Sequence, residues 1–156
     1  MSNLLVQNIK HTNNTTAMTI NTSGHVATDT IKGNTSAGSI SVVGEGGSTT
    51  TNLQQGLCKA WGQATQDGGN TLRDSFNMSS MDDIGTGIID YNFTNNMAND
   101  DFAGGSLGRK DSGGSDVFGR FSDMATDEFR IHWVNGQDGS TEDSDVASCC
   151  IFGDLA

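Results

Sequence analysis

Four pairs of adjacent carboxylates, Asp82-Asp83, Asp100-Asp101, Asp127-Glu128 and Glu142-Asp143, come nearest to a catalytic pattern in this chain. Cleavage of a glycosidic bond needs two acids that flank the scissile bond. Adjacent residues on a strand point to opposite faces, and all four pairs fall where the composition reads as turns, so the preferred reading is solvated loop charge. Serine-based acyl chemistry has no nucleophile elbow to support it.

The segment from Gly136 to Asp145 places Asp138, Glu142, Asp143 and Asp145 within eight positions. Hard cations take several oxygen ligands from such loops, but the spacing matches no calcium-loop register. An outward acidic loop is the expectation, with ion binding the minority reading and no metal or cofactor assigned. His11, His25 and His132 have no Cys or His at metal-ligand spacing. On a three-fold axis one histidine would form a cluster, and His25 is the best placed, although a polar strand-edge histidine is the preferred reading. Cys58, Cys149 and Cys150 read as small buried hydrophobes in strands. Trp61, Tyr91, Phe129 and Trp133 read as core, with one of them open to stacking on a sugar.

The elements that must carry these residues change character near residue 51. Residues 1–56 hold two acidic and two basic side chains, and 24 of the 56 are Ser, Thr or Asn. Residues 57–156 hold 17 acidic and six basic side chains, and so the whole formal charge of −11. Ordering a backbone costs roughly 1–2 kcal/mol per residue, which a segment with little to bury cannot offset alone. Its short strands carry Leu4, Val6 and Ile9, then Met18 and Ile20, and three copies around an axis would share one narrow core built from those five. Leu53 to Gly56 reads as a short helical turn with Thr51 or Asn52 as N-cap.

Beyond it the strand signals strengthen. Trp61 lies in a period-2 stretch from Cys58 to Thr65. Tyr91 and Phe93 share a face with Ile89, opposite Asp90, Asn92 and Thr94, while Phe129 and Ile131 alternate with Arg130 and His132. Residues 99–116 read as a long Gly-rich loop, and Val146 to Phe152 as a closing strand. The predicted fold is all-β: a segment over 1–50, then a compact antiparallel β-sandwich over 51–156. Trp61, Tyr91, Phe93, Phe129, Ile131 and Phe152 are expected in its core or subunit interface.

Composition narrows the partners. An acidic surface repels nucleic acid, whose phosphates need clustered Lys or Arg, and only Arg109-Lys110 is a basic pair. No apolar run approaches the ~20 residues a membrane span needs. The opening MSNLLVQNIK lacks the pattern of a secretory signal, so synthesis in a cytoplasm is expected.

The run from Asn52 to Trp61 (NLQQGLCKAW) resembles a family of tail-fibre-like virion structural proteins of marine bacteriophages. The likeness continues through Arg73-Asp74-Ser75-Phe76-Asn77-Met78-Ser79-Ser80, Ile84-Gly85-Thr86-Gly87, Tyr91-Asn92-Phe93-Thr94 and Met97. Ala98 stands where family members usually have Pro, and the Gly-rich stretch 103–116 departs from the pattern. The resemblance implies an elongated homotrimer in the virion: a shaft or attachment segment (1–50) that docks on other virion proteins, and a knob (51–156). The implied role is a tail fibre or short spike that contacts a host-surface glycan or protein. A capsid or tail decoration protein without receptor binding is the alternative, and a glycan-degrading enzyme a distant third. No catalytic residues come with the resemblance, and the chain is expected not to be an enzyme.

Overall fold

A computed structural model describes residues 8–10, 16–20, 22–33, 40–44, 47–111 and 116–156. The chain divides into two compact units, Met1–Ile40 and Ser41–Ala156. In the first, β1 (Asn8–Lys10), β2 (Thr16–Ile20) and β3 (Val26–Ala27) form an antiparallel sheet in that order. Ile9 sits opposite Met18, and Ile20 opposite Val26. Leu4, Val6 and His11 lie outside the described residues.

The second unit opens with the antiparallel pair β4 (Ser41–Val43) and β5 (Thr50–Asn52), followed by α1 (Leu53–Gly56). Asn52 is the N-cap: its side-chain oxygen accepts the Gln55 N–H at 3.1 Å, which satisfies a donor the first turn leaves free. At the other end the buried Lys59 ammonium donates to the carbonyls of Gln54 and Leu57, so a cation sits where the helix exposes its acceptors.

Eight further strands complete this unit: β6 (Ala60–Thr65), β7 (Thr71–Phe76), β8 (Met78–Gly85), β9 (Ile88–Phe93), β10 (Ala103–Arg109), β11 (Asp116–Ser122), β12 (Glu128–Asn135) and β13 (Val146–Phe152). They form one antiparallel sheet in the order β7-β6-β13-β10-β11-β12-β9-β8. Strands β10, β11 and β12 are a meander, and β13 returns to lie beside β10, which makes a Greek key. The all-β expectation holds, but the eight strands are one continuous ladder rather than two separately bonded sheets. The edge strands β7 and β8 are joined through Asn77 alone, so the sheet rolls until its edges nearly meet. Among the described residues no helix is long and apolar enough to cross a membrane.

Aromatic rings fill the roll. Tyr91, Phe93, Phe129, Ile131 and Trp133 are buried, as alternation along β9 and β12 requires. The Phe129 ring lies 5.3 Å from Tyr91 (stacked), 5.3 Å from Phe93 and 5.6 Å from Phe121. Trp61 and Phe152 are not in the core, and Phe152 ends β13 39% exposed. Ala60, Gly62 and Ala64 face inward on β6 and Trp61 points out, 38% exposed, because the space beside Gly62 is taken by the Met78 sulfur.

Two other readings are corrected. Residues 103–109, expected as loop, are strand β10. Its glycines are there because aromatic rings press on it: a Cβ at Gly104 would come within 2.5 Å of the Phe121 ring, and one at Gly108 within 2.8 Å of Trp133. Asp82-Asp83 is on strand β8 rather than in a turn, and Glu128 opens β12.

Candidate functional site: the acidic loop and the outer carboxylates

The loop after β12 is a tight hairpin. Asn135 N–H donates to Ser140 O at 2.8 Å and Gly139 N–H to Asn135 O at 2.9 Å, with Gly139 at φ 78. Asp138 stands exposed at its tip. The Ser140 hydroxyl (2.7 Å) and N–H (2.9 Å) both donate to its carboxylate and hold it below the usual aspartate range.

The other three acids of this loop are half-buried and tied into the barrel, not free in solvent. Glu142 receives the Lys110 ammonium at 2.9 Å and the Asn135 amide at 2.8 Å. That ion pair raises the Lys110 pKa, Glu142 acting first through the hydrogen bond. Asp143 accepts the Gly87 N–H at 2.7 Å, and Asp145 accepts the Asp111 N–H. Gly87 is the hub: it is buried with φ 69, its carbonyl accepts Trp133 N–H at 2.7 Å, and a Cβ there would meet Glu142 N at 2.4 Å. Only glycine fits that contact. Lys110, read from the sequence as half of a loop basic pair, thus fastens the acidic loop. The charge order of a Gly-rich stretch gave no sign of a partner 32 positions further along, at Glu142.

The carboxylates on the sheet are engaged in the same way. Asp82 accepts the Asn92 amide at 2.8 Å and Asp83 the Asn70 amide at 2.6 Å. Asp82 and Asp90 are register partners on β8 and β9, the arrangement closest to a two-acid pair. Both oxygens of Asp90 are held by Arg130, however, at 2.6 and 2.8 Å, so Asp90 is not free to act as a base. The strong acceptor neighbours raise the Arg130 pKa, Asp90 first.

Of the three thiols only Cys149 is buried, and burial pushes it up to about 12; Cys58 and Cys150 are partly exposed. Burial also pushes the Tyr91 phenol well above its ordinary value, and its hydroxyl donates to Ala147 O at 3.4 Å. His132 is half-exposed on the outer side of β12, and His25 is exposed after a turn. Among the described residues no three His, Cys, Asp or Glu side chains are grouped so as to hold a metal ion.

The arrangement offers side chains for contact on the outside of a filled barrel. No protein-family model, no curated protein and no solved structure is significantly similar to this chain.

Proposed function

We propose that this chain is a bacteriophage virion structural protein without enzymatic activity, a homotrimeric tail fibre or short spike whose barrel contacts the host surface. Residues 1–50 are its shaft and attachment segment to other virion proteins, and residues 51–156 its knob, a two-layer roll over the aromatic core. It is made in the host cytoplasm and resides in the particle, where it meets a host-surface glycan or protein. The observation that carries the reading is the filled interior: Trp133, Tyr91 and Phe129 are fully buried where an enclosed ligand site would be. Recognition then falls to outer faces and loops, as in a contact module.

Two further features support it. The motifs that resemble tail-fibre-like proteins map onto α1 and strands β6 to β9, where they supply core side chains (Ala60, Met78, Tyr91, Phe93) and the corner residues Asn77 and Gly87. They describe a scaffold, which fits a structural family. The charge of −11 lies wholly beyond residue 56, and like charge opposes burial of the surface that carries it against a large structural partner, an obstacle the neutral segment does not meet.

The test is labelling and competition. Antibodies against the full chain should decorate phage particles, and excess purified protein should block their adsorption to host cells. Labelling without competition would replace the receptor-binding role with that of a decoration protein. Absence from particles would end the virion reading.

A further inference from the structure

The outward side of four adjacent strands is unlike the rest of this acidic surface. In register across β7, β6, β13 and β10 stand Phe76, Trp61, Cys150 and Gly105. Phe76 is 51% exposed and Leu107, two residues along β10, is 71% exposed. Ser106 donates to Gly119 O at 2.9 Å, so the register of β10 with β11 brings exposed Phe118 level with Leu107 and Arg120 level with Gly105. Between Leu107 and the Cys150 side lies a shallow hollow of 300 Å³ floored by Gly105 and Ser148.

The outward positions of β6 and β13, and of β10 from Ala103 to Leu107, carry no charge in a chain of net −11. Charges of both signs appear at the margins. Arg73 and Asp74 stand on the β7 side, and Asp116 and Arg120 on the β11 side, where Arg120 makes no ion pair among the described residues.

We infer that this face is the subunit interface of the barrel and that its partner is a second copy of the same chain. Copies of a chain at −11 repel wherever like-charged surface meets, so they associate through the face that carries no net charge. Exposed aromatic and aliphatic side chains supply the burial that association needs. Around a three-fold axis the β7 margin of one copy meets the β11 margin of the next, which brings Asp74 to Arg120 in a head-to-tail ring. The inference rests on the reading of the chain as a homotrimer and not on its place in a virion.

Sedimentation of the full-length chain tests it. The wild type should run at three times the 16.3 kDa chain mass. Leu107→Glu and Trp61→Glu, both at exposed positions, should each weaken assembly by roughly two orders of magnitude, since each would bury an unpaired carboxylate. A cooperative melt of each variant would show that the monomer still folds. Arg120→Glu should weaken assembly too, and Asp74→Arg added to it should restore it. A wild-type monomer would overturn both the interface and the homotrimer. A trimer that survives both glutamate variants would overturn the face alone, and failure of the charge swap to rescue would overturn the head-to-tail order.

Discussion

Arg130 and Asp90 face each other at paired positions of β12 and β9, and the guanidinium holds the carboxylate through two parallel N–H···O bonds of 2.6 and 2.8 Å. Such a fork is specific to arginine, since an ammonium offers a point charge and no planar match. Asp90 is almost fully buried, so removing its partner strands a charge. Arg130→Ala should lower the Tm by several degrees, Arg130→Lys should recover only part of that, and added salt should change neither loss much. Thermal melts of the two variants at low and high salt check this.

The aromatic centre should be the most sensitive part of the chain. Phe129 touches four other rings and is fully buried, as is Ile131. Phe129→Ala should cost about 3–5 kcal/mol and Ile131→Ala about 2–5 kcal/mol. Urea titrations with unchanged slopes would measure the loss, and an unmoved midpoint would refute the packing.

Strand β10 predicts an overpacking defect. With Phe121 carbons 2.5 and 2.8 Å from the place of its Cβ, Gly104→Ala should destabilise by about 1–3 kcal/mol. The clash is with a side chain, so Phe121→Leu should absorb part of the cost. A double-mutant cycle that proves additive would show that the two do not touch.

Alkali should destabilise the protein over a defined window. Cys149 has an ordinary value of 9.0 and is pushed up to about 12 by burial. Its folded thiol keeps a proton that the unfolded chain releases, so stability is full below about pH 9 and declines as pH rises towards 12. Tyr91, shifted in the same direction by burial, adds to that decline at higher pH. Melting temperatures recorded across this range should fall, and Cys149→Ala should flatten the first part of the fall. At pH 8 alkylation should mark the partly exposed Cys58 well before Cys149.

Strands β9 and β12 and a cap at Thr51 or Asn52 were legible in the sequence because each is a local pattern: alternation of large apolar with polar residues, and a side chain placed to accept from the first turn; the structure chooses Asn52. The core half of the Trp61 reading failed because period-2 alternation tells that two faces differ, not which one is inside. Size pointed inward, while the Met78 sulfur reserved that space for Gly62. Strand β10 was illegible for a related reason: its glycines answer to Phe121 and Trp133, far along the chain, and in one dimension glycine reads as a turn. The same distance hid the fastening of Glu142 and Asp143, whose partners Lys110 and Gly87 meet them only once the sheet has rolled.

Asn77 turns the corner between β7 and β8 in the left-handed region, at φ 58, with its side chain bonded to Asn95. Those strands are the two ends of the ladder, so one residue keeps both open rows of backbone groups turned towards each other. The Asn70 amide, reaching Asp83, ties the same gap shut. Open rows of this kind template strand addition and aggregation when they face solvent. Cleavage of the chain beside Asn77 would part the two rows, and a self-limiting sheet would become one able to recruit strands from its neighbours. The stretch that most needs protection from proteases is therefore a corner that takes no part in the core.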